Sequence, residues 1–209
     1  MARQHIVPAR PIPQGATVLR LEELRNATAE MTTPALLRYL LLERFPGRCA
    51  ITSSLRARSV VVLNLAAEVD RTVPVIFCQA SYVYPESVDY RAQVIRLLHL
   101  TDVRDPGADE GVVLPDDQDH YEEIRSSVWG GGTIETTVHL NRSLADFDCW
   151  ISAAYHRPYT DEPTPRLIQE GRMLRVDPLS GWTWKEVHEY MAKRNLPLHP
   201  RIAAPSYHY

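Results

Sequence analysis

Apolar positions recur along this chain at two spacings, and their alternation sets the predicted architecture. Leu21, Leu24, Thr28 and Met31 repeat at helical spacing. Thr33-Pro34 then reads as an N-cap and first-turn proline, with Leu37, Leu40, Leu41 and Arg44 on one face of a second helix. Pro46-Gly47 stops that helix. Cys49 to Thr52 reads as a strand, Ser59 to Glu68 as a helix and Val73 to Cys78 as a second strand. Pro85 to Leu98 reads as a helix with Tyr90, Val94, Leu97 and Leu98 on its buried side, and Leu100 to Val103 as a third strand. From Asp105 to Phe147 the pattern loosens around Pro106-Gly107, Pro115 and Gly130-Gly131-Gly132. Asp148 to Ser152 and Met173 to Val176 are two further strands. Thr183-Trp184-Lys185-Glu186 is a capping box, followed by an apolar stripe of Val187, Tyr190 and Met191 and closed by Lys193-Arg194-Asn195. Strand–helix–strand alternation at this spacing predicts βαβ units and a parallel sheet, hence an α/β fold.

Composition narrows the picture. The 209 residues, 44% hydrophobic and 23% charged, suit one α/β domain with a full core. Pro8, Pro11 and Pro13 set residues 1–15 apart as an extended arm, a tail in preference to a strap on a partner, and leave 16–209 as the domain. The stretch behind Arg3 and Arg10 has no apolar core, so it does not read as a secretory signal. No apolar run reaches the roughly 18–20 residues a membrane span needs. The net charge of −3 gives no basic face for nucleic acid. Cys49, Cys78 and Cys149 form no CxxC and no CC pair, so neither a zinc site nor an iron–sulfur cluster is expected on this chain. An odd cysteine count fits a reducing, cytoplasmic setting. Asp116, Asp117, Asp119 and His120 lack fixed ligand spacing and read as a solvated loop, not a metal site. The triple glycine lacks a following Lys-Ser/Thr and reads as a lid or linker.

Three segments carry a resemblance. Phe45-Pro46-Gly47-Arg48 leads into a strand and the turn Ser53-Ser54. Ser81-Tyr82-Val83-Tyr84-Pro85-Glu86-Ser87 is similar to a GYxFPET motif. Val176-Asp177-Pro178-Leu179, Gly181-Trp182-Thr183, Glu186-Val187, Tyr190 and Leu196-Pro197-Leu198-His199-Pro200 resemble a long NPL-WT-LPxHP tract. Together they resemble the phosphoadenylylsulfate/adenylylsulfate (PAPS/APS) reductase family of the adenine nucleotide alpha-hydrolase-like, PP-loop superfamily. The resemblance implies a twisted, mostly parallel sheet with helices on both faces and a ligand beyond the carboxyl ends of the strands. It implies that Ser53, Ser54, Gln79, Ser81, Tyr82 and Ser152 surround an adenine nucleotide or sulfonucleotide.

A serine-rich turn from a strand into a helix is also an anion cradle on physical grounds, although the same serines serve equally well as plain caps. Where the family has an aromatic-glycine pair, this chain has Leu55-Arg56 followed by Ala57-Arg58. Arg56 and Arg58 are therefore expected either at the anion, which a forked guanidinium suits, or in water. The family's GxRRxQS run is replaced by Ser152-Ala153-Ala154-Tyr155-His156-Arg157, which keeps one arginine, Arg157, out of register. The family's ECGxH tail has no counterpart before Tyr209, so no autonomous thiol-dependent reduction is expected. Cys78 is the candidate replacement thiol, weighed against an ordinary buried strand cysteine. Three readings follow: a nucleotide-binding subunit acting as a homo-oligomer or in a hetero-complex, a repurposed enzyme that uses an adenine nucleotide, or a scaffold whose cradle Arg56 fills.

Overall fold

The computed structural model describes residues 14–78, 85–104, 140, 142–153 and 165–200. In chain order the elements are α1 (Gln14–Thr28), α2 (Thr33–Arg38) running on as a π-helical turn (Tyr39–Arg44), β1 (Cys49–Ser53) and α3 (Ala57–Ala67). They continue with β2 (Val75–Phe77), α4 (Pro85–Leu98), β3 (Val103–Arg104), β4 (Cys149–Ser152), β5 (Leu167–Glu170), β6 (Met173–Val176) and α5 (Trp184–Lys193). α1 thus begins at Gln14, inside the stretch expected to be an arm.

The six strands lie in the order β3-β2-β1-β4-β6-β5. All neighbours are parallel except β5 and β6, which pair antiparallel. β1 is central and buried along its whole length, as a strand covered on both faces must be. Alternation along the strands divides the core in two. Cys49, Ile51, Val75, Phe77 and Ile151 face one side, where they meet residues of α2, α3, α4 and α5 such as Leu37, Val61, Val94 and Val187. Ala50, Ile76, Cys78 and Trp150 face the other, against Leu140, Leu144 and Phe147 from a segment that is helical at its start. The fold is α/β, a twisted, mostly parallel sheet with helices on both faces.

Four details differ from the sequence reading. The N-cap of α2 is Thr32, whose hydroxyl accepts from the Ala35 N–H at 3.4 Å. Thr33 instead turns inward and its hydroxyl donates to the Pro178 carbonyl at 3.0 Å. Leu97 is 46% exposed, because the buried side of α4 is carried by Tyr90, Val94 and Leu98 alone. The third strand is Val103–Arg104, with Leu100 buried in the turn before it. β5 was not anticipated, since among its four residues only Leu167 is fully buried. Gly171, at φ +55, turns this strand back onto β6.

Candidate functional site

The strand order reverses at β1: the chain passes from β1 to β2 on one side, and β4 lies on the other. In an open parallel sheet this reversal leaves a crevice beyond the carboxyl ends of the two strands. Ser53 ends β1 and Ser152 ends β4, with Ser152 the register partner of Thr52. Below the crevice the Trp150 indole N–H donates to the Thr52 hydroxyl at 2.7 Å, which satisfies both buried groups.

The turn out of β1 is tightly specified. Cys78 N–H donates to the Ser53 carbonyl at 2.9 Å and extends the ladder past the strand ends. The Ser53 hydroxyl accepts from the Leu55 N–H at 3.2 Å, so one of the two serines holds the turn itself. Leu55 takes φ +60, a left-handed conformation that costs a side-chain-bearing residue about 1–2 kcal/mol. Burying the same side chain, 5% exposed, returns about 1.5–3 kcal/mol and holds it there. Arg56, which stands where the resemblance places the family's glycine, is not the left-handed residue of this turn. Arg56 is extended (φ −77, ψ 160), exposed, and the N-cap of α3 without a side-chain cap bond. The Val60 N–H is the donor to the Arg56 carbonyl at 3.0 Å. The opening N–H groups of α3 therefore have no capping side chain and face the crevice side with the positive end of the helix dipole. Ser54, half-buried, stands beside them.

Arg58 does not join this cradle. It is 4% exposed, and its guanidinium donates to the Leu179 carbonyl at 2.7 Å and the Trp182 carbonyl at 3.1 Å. Its Nη2 lies 3.5 Å from the Asp177 carboxylate. Both arginine outcomes read from the sequence, at the anion or in water, give way for Arg58 to a buried tie between α3 and the turn after β6. Asp177 also accepts from the Leu179 N–H at 2.9 Å. Burial raises its carboxyl above the ordinary range, against the opposing pull of Arg58, the Leu179 N–H, Arg175 and Arg166. Gln79, Ser81, Tyr82 and Arg157 lie outside the described residues, as do the Asp116–His120 cluster and the glycine run. The structure thus brings Ser53, Ser54, Arg56 and Ser152 to one sheet edge and removes Arg58 from it.

Two further groups at this edge were not singled out from the sequence. The Arg91 guanidinium lies 4.6 Å over the ring of Phe77, the register partner of Ser53. One helical turn earlier on α4, the Ser87 hydroxyl is 3.0 Å from His199 Nε2. The Leu196–Pro200 tract is docked there: the Tyr90 hydroxyl donates to the Pro197 carbonyl at 2.7 Å, and the Tyr90 and His199 rings meet edge-on at 4.9 Å. Burial pushes the Tyr90 phenol up to about 12. The signal for Arg91 was its place in the first half of the helix after β2, where side chains lean back toward the helix N-terminus and the strand ends.

The three cysteines are all buried. Burial pushes the Cys78 thiol up to about 12. Cys49 and Cys149 are register partners in adjacent strands, and burial, followed by the Cys49 neighbour, holds Cys149 well above the ordinary thiol range. A thiol is nucleophilic only as the thiolate, so this setting makes both Cys78 and Cys149 inert. Among the described residues no group of three or more His, Cys, Asp or Glu side chains is placed to hold a metal ion. Nor is any described helix long and apolar enough to cross a membrane.

Residues 48–203 match the family model of the phosphoadenosine phosphosulfate reductase domain, which is most of the chain. The chain belongs to that family. It is 24% identical over 171 residues to a phosphoadenosine 5'-phosphosulfate reductase of Alkalilimnicola ehrlichii, covering 76% of this chain and 66% of the relative. It is 27% identical over 210 residues to an adenosine 5'-phosphosulfate reductase of a Chelativorans species, covering 93% and 80%. A third relative, an adenosine 5'-phosphosulfate reductase of Mesorhizobium japonicum, is 27% identical over 165 residues, 77% of this chain and 63% of its own length. Among solved structures, phosphoadenylyl-sulfate reductase from Candida auris superposes with a TM-score of 0.63 at 16% identity, covering 92% of both chains. Candida glabrata FMN adenylyltransferase superposes at 0.53 and 12% identity, covering 92% of this chain and 61% of its own, a likeness of fold.

Proposed function

We propose that this phosphoadenosine phosphosulfate reductase-like chain binds an adenine nucleotide in the crevice beyond β1 and β4, and that none of its three cysteines supplies the thiol chemistry of a reductase. The carrying observation is the uncapped N-terminus of α3 at the strand reversal, reached through a turn that Ser53 holds in place. A helix N-terminus without an N-cap side-chain bond and the helix dipole together favour an anion there, independently of the side chains. Ser54 and the exposed Arg56 add a hydroxyl and a cation at the same lip. An extended, exposed Arg56 weighs against the scaffold reading, which a cradle filled by that side chain would favour.

Thiol chemistry requires an accessible sulfur with a thiolate population. Cys78 is the one cysteine at the crevice edge, and burial holds it protonated at neutral pH. Reduction in this setting calls on a thiol from outside these residues, such as a partner in a complex, and we propose no iron–sulfur cluster or metal as cofactor. The test has two arms on the full chain. Titration calorimetry with AMP, adenylylsulfate and phosphoadenylylsulfate should give saturable binding that weakens with salt. Incubation of the same protein with adenylylsulfate or phosphoadenylylsulfate and thioredoxin or glutathione should release no sulfite. Absence of binding to all three nucleotides overturns the first half of the proposal, and catalytic sulfite release the second.

A further inference from the structure

We propose that Arg58 is a positioning residue for the anion site: it does not touch the ligand, but its buried guanidinium holds the opening turn of α3 in a binding-competent place. The inference rests on the nucleotide-binding reading above. A helix start is commonly held by an N-cap side chain that accepts from N–H groups of the first turn. α3 has no such bond, because its N-cap is Arg56. An uncapped first turn frays unless tertiary contacts hold it. Arg58, the second residue of α3, supplies that contact from the side. Its Nη2 donates to the Leu179 carbonyl at 2.7 Å and its Nη1 to the Trp182 carbonyl at 3.1 Å. The Asp177 carboxylate stands 3.5 Å from Nη2. One planar fork thus meets three oxygens of the single turn that follows β6.

The turn that receives the fork is itself fixed. Asp177 accepts from the Leu179 N–H at 2.9 Å, and the Trp182 N–H donates to the Leu179 carbonyl at 2.9 Å. Leu179 is fully buried. The Trp182 indole N–H donates to the Thr33 hydroxyl at 3.2 Å, and that hydroxyl donates to the Pro178 carbonyl at 3.0 Å. The turn is therefore tied both to β6 and to the start of α2. On the strand side of the connection, Leu55 is buried and its N–H donates to the Ser53 hydroxyl at 3.2 Å. Leu55 and Arg58 thus anchor the β1–α3 connection on both sides of the exposed Arg56. An N-cap would occupy backbone N–H groups with an oxygen of the protein. A clamp made by a side chain from the flank of the helix does not, so it fixes the turn and keeps the helix opening for an oxyanion.

The test is calorimetric titration of the full chain, wild type and Arg58→Lys, with adenosine, AMP and adenylylsulfate. The lysine keeps the charge and loses the planar fork, so it separates position from electrostatics. If the opening turn is then binding-competent about a tenth of the time, AMP and adenylylsulfate should each bind about 10-fold more weakly. Adenosine, which has no anion to place on that turn, should move by no more than about twofold. Amide exchange over residues 60–63 of the free variant should quicken, as the first turn of α3 frays. Asp177→Asn serves as the second variant should the lysine protein not fold. Loss of a nearby negative charge would by itself strengthen anion binding. Loss of the counter-charge of Arg58 loosens the clamp, and AMP should instead bind about 3-fold more weakly. Unchanged or tighter binding of AMP and adenylylsulfate in the folded variant overturns the inference while leaving the binding site standing. So does a loss for adenosine as large as that for AMP, which would mark general damage to the crevice. A wild-type chain that binds neither AMP nor adenylylsulfate overturns the parent reading, and this inference with it.

Discussion

Replacing Arg58 by methionine should destabilise the fold by about 3 kcal/mol at neutral pH, and the deficit should shrink on acidification. The guanidinium is 4% exposed and meets two carbonyls, at 2.7 and 3.1 Å, and the Asp177 carboxylate at 3.5 Å. Removing one partner of a buried ion pair costs about 3–5 kcal/mol, because the other charge stays buried. The lower end applies here, since Asp177 keeps the Leu179 N–H at 2.9 Å and the fields of Arg175 and Arg166. The pH dependence follows from the carboxyl. Burial already holds its folded pKa above the usual carboxylate range, so its protonation stabilises the fold. That contribution is complete below the unfolded pKa and is lost as pH rises through the folded one. Without Arg58 the folded pKa rises further, and at neutral pH the variant holds an unpaired buried charge that acid removes. Urea unfolding followed by tryptophan fluorescence at about pH 5 and 7.5 reads both effects. Adding Asp177→Asn to Arg58→Met should recover about 1–2 kcal/mol at the higher pH. A deficit below about 1 kcal/mol, or one larger at pH 5 than at pH 7.5, would refute the reasoning.

Other expectations come from single contacts. A thiol-reactive dye should leave Cys49, Cys78 and Cys149 unlabelled in the native chain and label all three in denaturant, because all three are buried; labelling at native-state rates comparable with free thiol contradicts this. Thr183→Ala removes the hydroxyl that accepts from the Glu186 N–H in the capping box on α5 and should cost about 1 kcal/mol, read as a lower melting temperature. Trp150→Phe leaves the Thr52 hydroxyl without its 2.7 Å donor and should cost about 1–3 kcal/mol in urea unfolding.

The parts of the fold that were legible in the sequence are those with local signals. α4 begins and ends at the expected Pro85 and Leu98, because a first-turn proline and an apolar stripe are written in consecutive residues. The Thr183 cap was legible for the same reason, with both of its partners three residues apart. β5 was not, because an edge strand that buries one side chain of four leaves no alternation to read. Leu55 carries no mark of its left-handed backbone; its side-chain burial overrides a preference that glycine or asparagine would have announced. The destination of Arg58 was invisible because Asp177, Leu179 and Trp182 lie far along the chain, and nothing local separates a buried tie from a surface cation. The side-by-side position of Cys49 and Cys149 is likewise a product of the parallel register of β1 and β4. At the candidate site, residue types grouped Ser53, Ser54, Arg56 and Ser152, which the structure also places at one sheet edge, and long-range packing took Arg58 away from it.

Hydrogen–deuterium exchange of the full chain, with and without saturating adenylylsulfate, addresses the location of the anion directly. The uncapped opening of α3 is the feature on which the proposal of nucleotide binding rests. Ligand held by those N–H groups should slow exchange most strongly over residues 54–60, with smaller effects near Ser152 at the end of β4. A ligand that binds yet leaves residues 54–60 exchanging as in the free protein would contradict the account.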